Sequence, residues 1–302
     1  MPTAGPIRLG VAPIAWSNND MLELGGDTSL ETCLKETRKA GFTGTETGVK
    51  FPMDPDVLGP ILKKHRLQLV SGWFSGELLK RSVKAEQGRL MDQIETYRAL
   101  GAPAYVYAET TGTVQNQMDV PLSRRPRLGD DEFRAYGRKL TELAEWMADY
   151  GVPMTYHHHM GTVIETQREI DLLMASTGEA VGLLLDTGHL AFAGGDILET
   201  TRRHGRRINH VHCKDLRPDV LKRVRQQDRS FLSAVLEGVF TVPGDGMIDY
   251  YAFARALADI GYEGWVVVEA EQDPAVAVPY DYAVMGHRHL TSVFEAAGYA
   301  IA

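Results

Sequence analysis

Ten histidines occur in the 302 residues, and three of them are consecutive. His157, His158 and His159 follow the apolar run 152–156 and look like the C-terminal end of a short buried strand. Three later apolar runs stop in the same way at a group able to bind a metal or move a proton: 181–185 at Asp186, 208–211 at His212 and 265–268 at Glu269. If the four runs are parallel strands of one barrel, their tips converge on one face as a nitrogen and oxygen cage for a divalent cation. Alternation sends His157 and His159 one way and His158 the other, but the rule weakens past a strand's end, so the inward ligand stays open. Asp186 also suits a helix N-cap, although His189 nearby is a second polar group that capping alone does not explain. His210, His212 and Lys214 fall on one side by alternation, as do Glu269 and Glu271. An unpaired carboxylate beside such an apolar run is costly to desolvate, so Glu269 is expected to face a cation or a basic partner.

The elements that must position these groups are punctuated by glycine. At Gly41, Gly101, Gly151 and Gly261 a helix-like segment ends and an apolar segment begins at once, as expected of repeated helix-to-strand junctions. Periodicity predicts strands near 7–13, 42–47, 67–73, 104–108, 181–186, 208–212 and 264–269, with one more ending in the triple histidine. It predicts helices near 29–40, 54–65, 83–100, 130–150, 165–176, 196–204, 250–260 and 278–297. The polar segment 110–129, with Pro121 and Pro126, is longer than an ordinary connection and reads as a lid or active-site loop. Residues 216–243 are mixed, a charged helix-like part at 219–227 preceding an apolar part at 231–240. Eight strands alternating with helices, and no shift of composition, predict a single (β/α)8 TIM barrel with 1–302 as one domain.

Bulk composition narrows the function classes. Hydrophobic residues make up 44% and charged residues 24%, proportions of a globular protein with ample core. A net charge of -8 argues against nucleic acid as a partner, because phosphate binding needs clustered Lys and Arg. No apolar run approaches the roughly 20 residues that span a bilayer, and no secretory leader pattern opens the chain, so a cytoplasmic location is expected. Cys33 and Cys213 read as two buried, reduced thiols.

The runs Asp186-Thr-Gly-His189, His210-Val-His-Cys-Lys-Asp215 and Gly244-Asp-Gly-Met-Ile-Asp249, with the apolar run into Glu269, resemble the xylose-isomerase-like barrel superfamily of sugar isomerases, epimerases and dehydratases. Within it the stretches around Trp16, Asp27, Lys50 and Trp73, together with the triple histidine, look like the inosose dehydratase family. The resemblance implies a divalent metal, Mn2+ or Co2+ being typical. It implies a hydro-lyase that converts scyllo-inosose (2-keto-myo-inositol), a small polyol ketone, to 3D-trihydroxycyclohexane-1,2-dione and water in inositol catabolism. Carried over by position, Asp186, His212 and Glu269 match superfamily metal ligands. The fourth is usually a Glu at the end of strand 5, where this chain offers His157 or His159. A β-elimination needs a base for the proton beside the ketone and an acid for the departing hydroxyl. Glu269 or a nearby His is expected as base, and His189 or a strand-5 His as acid. Lys214 is expected to stabilise an enolate or anchor a substrate hydroxyl, and Glu46, Lys50 and Trp16 to line the substrate pocket, core packing being an equal alternative for Trp16. Three rival readings remain: an isomerase or epimerase of the same superfamily, an endonuclease for damaged DNA, and a silent sugar-binding barrel. Homo-oligomers are common among such barrels, but nothing in the sequence locates an interface.

Overall fold

The computed structural model describes residues 4–302. Eight parallel strands form the barrel: β1 (Pro6–Val11), β2 (Gly44–Thr47), β3 (Gln68–Gly76), β4 (Tyr105–Glu109), β5 (Met154–His157), β6 (Gly182–Asp186), β7 (Ile208–Cys213) and, after two short strands, β10 (Gly264–Val268). Each pairs with the next, and β10 closes the ring on β1 with Ile7 opposite Gly264 and Val11 opposite Val268. The main connecting helices are α1 (Leu30–Ala40), α2 (Pro55–His65), α3 (Val83–Leu100), α4 (Asp130–Asp149), α5 (Gln167–Ser176), α7 (Ile197–His204), α10 (Tyr250–Asp259) and α11 (Pro279–Ala296). The predicted barrel is therefore present, with strand and helix bounds displaced by a few residues.

Strand alternation divides the apolar residues between two layers. Leu9, Val11, Leu69, Val266 and Val268 face the helices in the main core, whereas Val70, Trp265 and Val267 belong to a small separate cluster inside the ring. Gly10 and Gly44 make room for it, since a Cβ at Gly44 would lie 2.5 Å from both Trp265 and Val70.

Besides two single-turn 3-10 helices, four elements are absent from the periodic reading. A short helix α6 (Thr187–Phe192) begins directly at Asp186; β8 (Asp215–Leu216) and β9 (Phe240–Thr241) form an antiparallel pair; and β11 (Ala300–Ile301) extends the sheet beside β1. The mixed stretch supplies α8 (Pro218–Gln226) and α9 (Phe231–Leu236), so its apolar part is one short helix followed by a strand. A strand of two residues shows no alternation, and a helix of six residues is too short to show a helical period.

Two of the punctuating glycines differ in what they tolerate. Gly101 has φ 71 with open space where a Cβ would go, whereas Gly41 has φ 114 and its Cβ would lie 2.6 Å from the His287 ring. That ring is held edge-on against Phe42 at 4.9 Å. We expect Gly101→Ala to cost about 1–2 kcal/mol from backbone conformation alone, and Gly41→Ala roughly twice that, because overpacking adds to it. Urea unfolding of the two variants compares them, and equal midpoints would refute the steric contribution.

Candidate metal centre and active site

Ligand atoms from His157, Asp186, His212 and Glu269, each at the end of a different strand, lie within 4.8 Å of one another. His212 Nδ1 is 2.7 Å from Glu269 Oε2 and 3.6 Å from Asp186 Oδ2, and His157 Nε2 is 3.9 Å from Asp186 Oδ2. Register explains the meeting, since Asp186 pairs with His212 across β6 and β7, and the Glu269 amide donates to Cys213 O at 3.2 Å. Three of the four side chains are tied at one end, which aims the other end into the group. His157 Nδ1 donates to His158 O at 2.5 Å, so Nε2 keeps its lone pair. His212 Nε2 donates to Glu46 Oε1 at 3.0 Å, which turns Nδ1 toward Glu269 and Asp186 as the atom it can offer a cation. Asp186 Oδ1 accepts from the His189 amide at 2.7 Å and caps α6, while Oδ2 faces the group. The two readings of Asp186 thus hold together, one oxygen for each.

Asp186 Oδ2 is buried without a hydrogen-bond partner, and it faces His212 Nδ1, whose near neighbour is Glu269 Oε2. Buried polar atoms are normally satisfied, so an orphaned carboxylate oxygen among imidazole nitrogens fits a cation site. Two imidazoles and two carboxylates suit a first-row divalent cation.

His159 lies outside this group. Its Nδ1 donates to Met160 O at 2.9 Å, and its Nε2 is 3.7 Å from Glu271 Oε1. With His189 it forms a second cluster around Glu271, but there the Lys214 ammonium takes the place a cation would hold. Lys214 Nζ is 2.5 Å from Glu269 Oε1 and 3.3 Å from Glu271 Oε2, and it donates to His189 Nε2 at 2.9 Å. Burial opposes its charge, yet Glu269, Glu271 and Asp186 hold it above the ordinary lysine range. Burial likewise opposes ionisation of Glu269, but Lys214 and His212 keep its carboxyl well below the usual range. Burial pushes His189 well below the ordinary histidine range, leaving a neutral acceptor for Lys214.

The cavity above these groups is lined by His157, His159, His212, Glu269, Glu271 and Glu46, and by residues that were not expected in the site: Asn19, Asp20, Gln115, and Trp73 from one of the stretches that carry the resemblance. Trp73 stands edge-on to His157 and His159, with ring centroids 5.5 and 5.2 Å apart. Asn19 Oδ1 is buried without a partner. Asp20 is raised by burial and then by Glu271.

Four expected pocket residues sit elsewhere. Trp16 is buried in the core with Nε1 donating to Glu36 at 2.6 Å, which is its packing alternative. Lys50 turns away from the cavity and donates to the carbonyls of Gly25 at 3.1 Å, Gly26 at 2.7 Å and Thr28, fastening the 25–28 turn. His189 and Lys214 are fully buried behind the cavity lining, because the carboxylates they support stand between them and the opening.

The 110–129 segment does supply the cavity, through Gln115, but it is fastened in place. Arg125 donates to Glu165 at 3.0 Å, to Glu169 at 2.8 Å and to Thr162 O at 3.1 Å, and Ser123 bonds Asp228. Of its two readings, the active-site loop describes the structure better than the lid.

A closed parallel barrel with a histidine and carboxylate cluster at its C-terminal mouth defines a TIM barrel with a candidate cation site. The model of the Xylose isomerase-like TIM barrel family matches residues 34–290, and the chain belongs to that family. It is 51% identical to the Rhizopine catabolism protein MocC of Rhizobium meliloti over 98% of this chain and 91% of that protein. It is 43% identical to the Inosose dehydratase of Geobacillus thermodenitrificans over 94% of this chain and 96% of that one. Among solved structures, the IOLI protein with a binding zinc atom superposes with TM-score 0.69 at 19% identity, covering 95% of this chain and 98% of that one, a likeness of fold. No helix among the described residues is long and apolar enough to cross a membrane.

Proposed function

We propose that the protein is a hydro-lyase that removes water from scyllo-inosose to give 3D-trihydroxycyclohexane-1,2-dione, with 1–302 acting as one domain. The observation that carries the reading is the division of the mouth into two groups, His157, Asp186, His212 and Glu269 on one side and His159, Glu271 and Lys214 on the other. It is supported by relatives named inosose dehydratase that match nearly the whole chain at about 40% identity. A divalent cation held by the first group, Mn2+ or Co2+ being the expected metals, would supply Lewis acidity to the ketone and acidify the neighbouring C–H.

The chain's own groups then do the rest. Glu269, kept ionised by Lys214, is the base for that proton. As the imidazolium, with Nδ1–H held by Met160 O and Nε2–H facing Glu271 in the cavity, His159 is the acid that gives its Nε2 proton to the departing hydroxyl, in preference to His189, whose Nε2 already accepts from Lys214. Lys214 holds Glu269 and Glu271 in place rather than touching substrate. Trp73, Gln115 and Asn19 form the wall that positions the ring and its hydroxyls.

Incubating the metal-loaded protein with inosose and with common ketoses tests the reading. Dehydration of inosose creates a conjugated product that absorbs in the near ultraviolet, and epimerisation does not. Turnover of a ketose without that absorbance would replace the dehydratase by an epimerase. A metal-loaded protein inert to inosose would point instead toward chemistry shared with the rhizopine-catabolism relative.

A further inference from the structure

Interior positions of a TIM barrel are usually filled by branched apolar side chains. Here one layer below the mouth holds Glu46, Ser71 and His210, all buried. Three donors converge on a single oxygen, Glu46 Oε1: Ser71 Oγ at 2.5 Å, His210 Nε2 at 3.1 Å and His212 Nε2 at 3.0 Å. Desolvating a carboxylate is expensive, and a layer of valines would close the barrel at less cost.

The backbone is deformed to build this layer. Across β2 and β3, Thr45 pairs with Leu69 but Thr47 with Gly72, so β3 spends one extra residue opposite Glu46. An extra residue of this kind re-aims a side chain. Val70 packs inside the ring, and Ser71, which strict alternation would turn outward, also reaches the interior to bond Glu46 and His210. What the layer gains is control of one imidazole. With Nε2–H committed to Glu46, His212 can offer only Nδ1 to the group it forms with Asp186 and Glu269.

We propose that Glu46 is a positioning residue, held by Ser71 and His210, that fixes the tautomer and ring orientation of His212 and thereby sets the affinity of the site for its cation. The proposal rests on the reading of His157, Asp186, His212 and Glu269 as a cation site. It replaces the expectation that Glu46 serves mainly as a wall for substrate, although one edge of the side chain reaches the cavity. Partners that orient metal-bound histidines typically change metal affinity 10- to 100-fold when altered.

Titrating chelator-treated protein with Co2+, followed by its visible absorption, tests this without any substrate. Glu46→Gln keeps the shape but removes the negative charge on which the three donors converge, and it should weaken Co2+ binding by about 10- to 100-fold and alter the spectrum. Ser71→Ala removes one of the three donors and should weaken binding by roughly 5-fold, the worth of a typical hydrogen bond, which keeps the test available if Glu46→Gln folds poorly. With saturating metal, both variants should lower kcat more than they raise KM. Unchanged Co2+ affinity and spectrum in both variants, with KM alone raised in Glu46→Gln, would overturn the proposal in favour of a substrate wall. Failure of the unaltered protein to bind Co2+ would sink the cation site itself and leave the inosose assay to stand separately.

Discussion

Replacing His157 by alanine should strip the protein of its cation, whereas replacing His159 should not. His157 Nε2 is aimed at Asp186 Oδ2 in the four-ligand group, while His159 Nε2 faces Glu271. Loss of a direct ligand should lower metal affinity by at least about a hundredfold, the upper end of what altering an outer partner costs. His159→Ala should keep its metal and lose roughly 100- to 10,000-fold in kcat, the usual worth of a positioned acid. Metal analysis after dialysis, set beside inosose turnover, reads both effects. The assignment fails if both variants release metal alike, or if His159→Ala turns over normally.

Lys214→Met should be among the most destabilising substitutions in the chain. Its ammonium is fully buried and compensates Glu269 and Glu271, with Asp186 Oδ2 at 4.0 Å. Removing one partner of a buried ionic network leaves charge without compensation and typically costs about 3–5 kcal/mol. Methionine keeps the packing volume, so the loss reports charge rather than a cavity. Urea unfolding of metal-free protein at neutral pH measures it. A loss under about 1 kcal/mol, the range of an exposed pair, would show that Lys214 is not the counter-ion this geometry makes it. Added cation should restore part of the loss in the variant, because it brings positive charge to Glu269 from the other side.

The barrel and the cation group were legible in the sequence for the same reason. Each apolar run ends at a polar residue, and parallel strands of a closed ring must end together, so Asp186, His212 and Glu269 could be brought together without coordinates. Choosing between His157 and His159 needed the hydrogen bonds beyond the strand end, where alternation lapses. Ser71 was hidden by the extra residue in β3, which breaks the period on which the reading relied. Asn19, Asp20 and Gln115 come from aperiodic segments whose path depends on tertiary contacts. Trp16 and Lys50 lie within the stretches that carried the family resemblance, but shared residues near a site serve its scaffold as readily as its lining. Lys214 and His189 were noticed as polar groups near the mouth, and only depth separates a support from a surface that substrate meets.

Lys50 spends its whole charge on the carbonyls of Gly25, Gly26 and Thr28, clipping down the segment that also carries Asn19 and Asp20. A rim fastened by Lys50 to main-chain oxygens, and by Asn18 Oδ1 to the Asp20 and Met21 amides, does not depend on the side chains of residues 19 and 20. Residues 19 and 20 can therefore be exchanged to admit other ring substituents while the backbone beneath them stays put, so the selectivity of this mouth is separable from its reactivity.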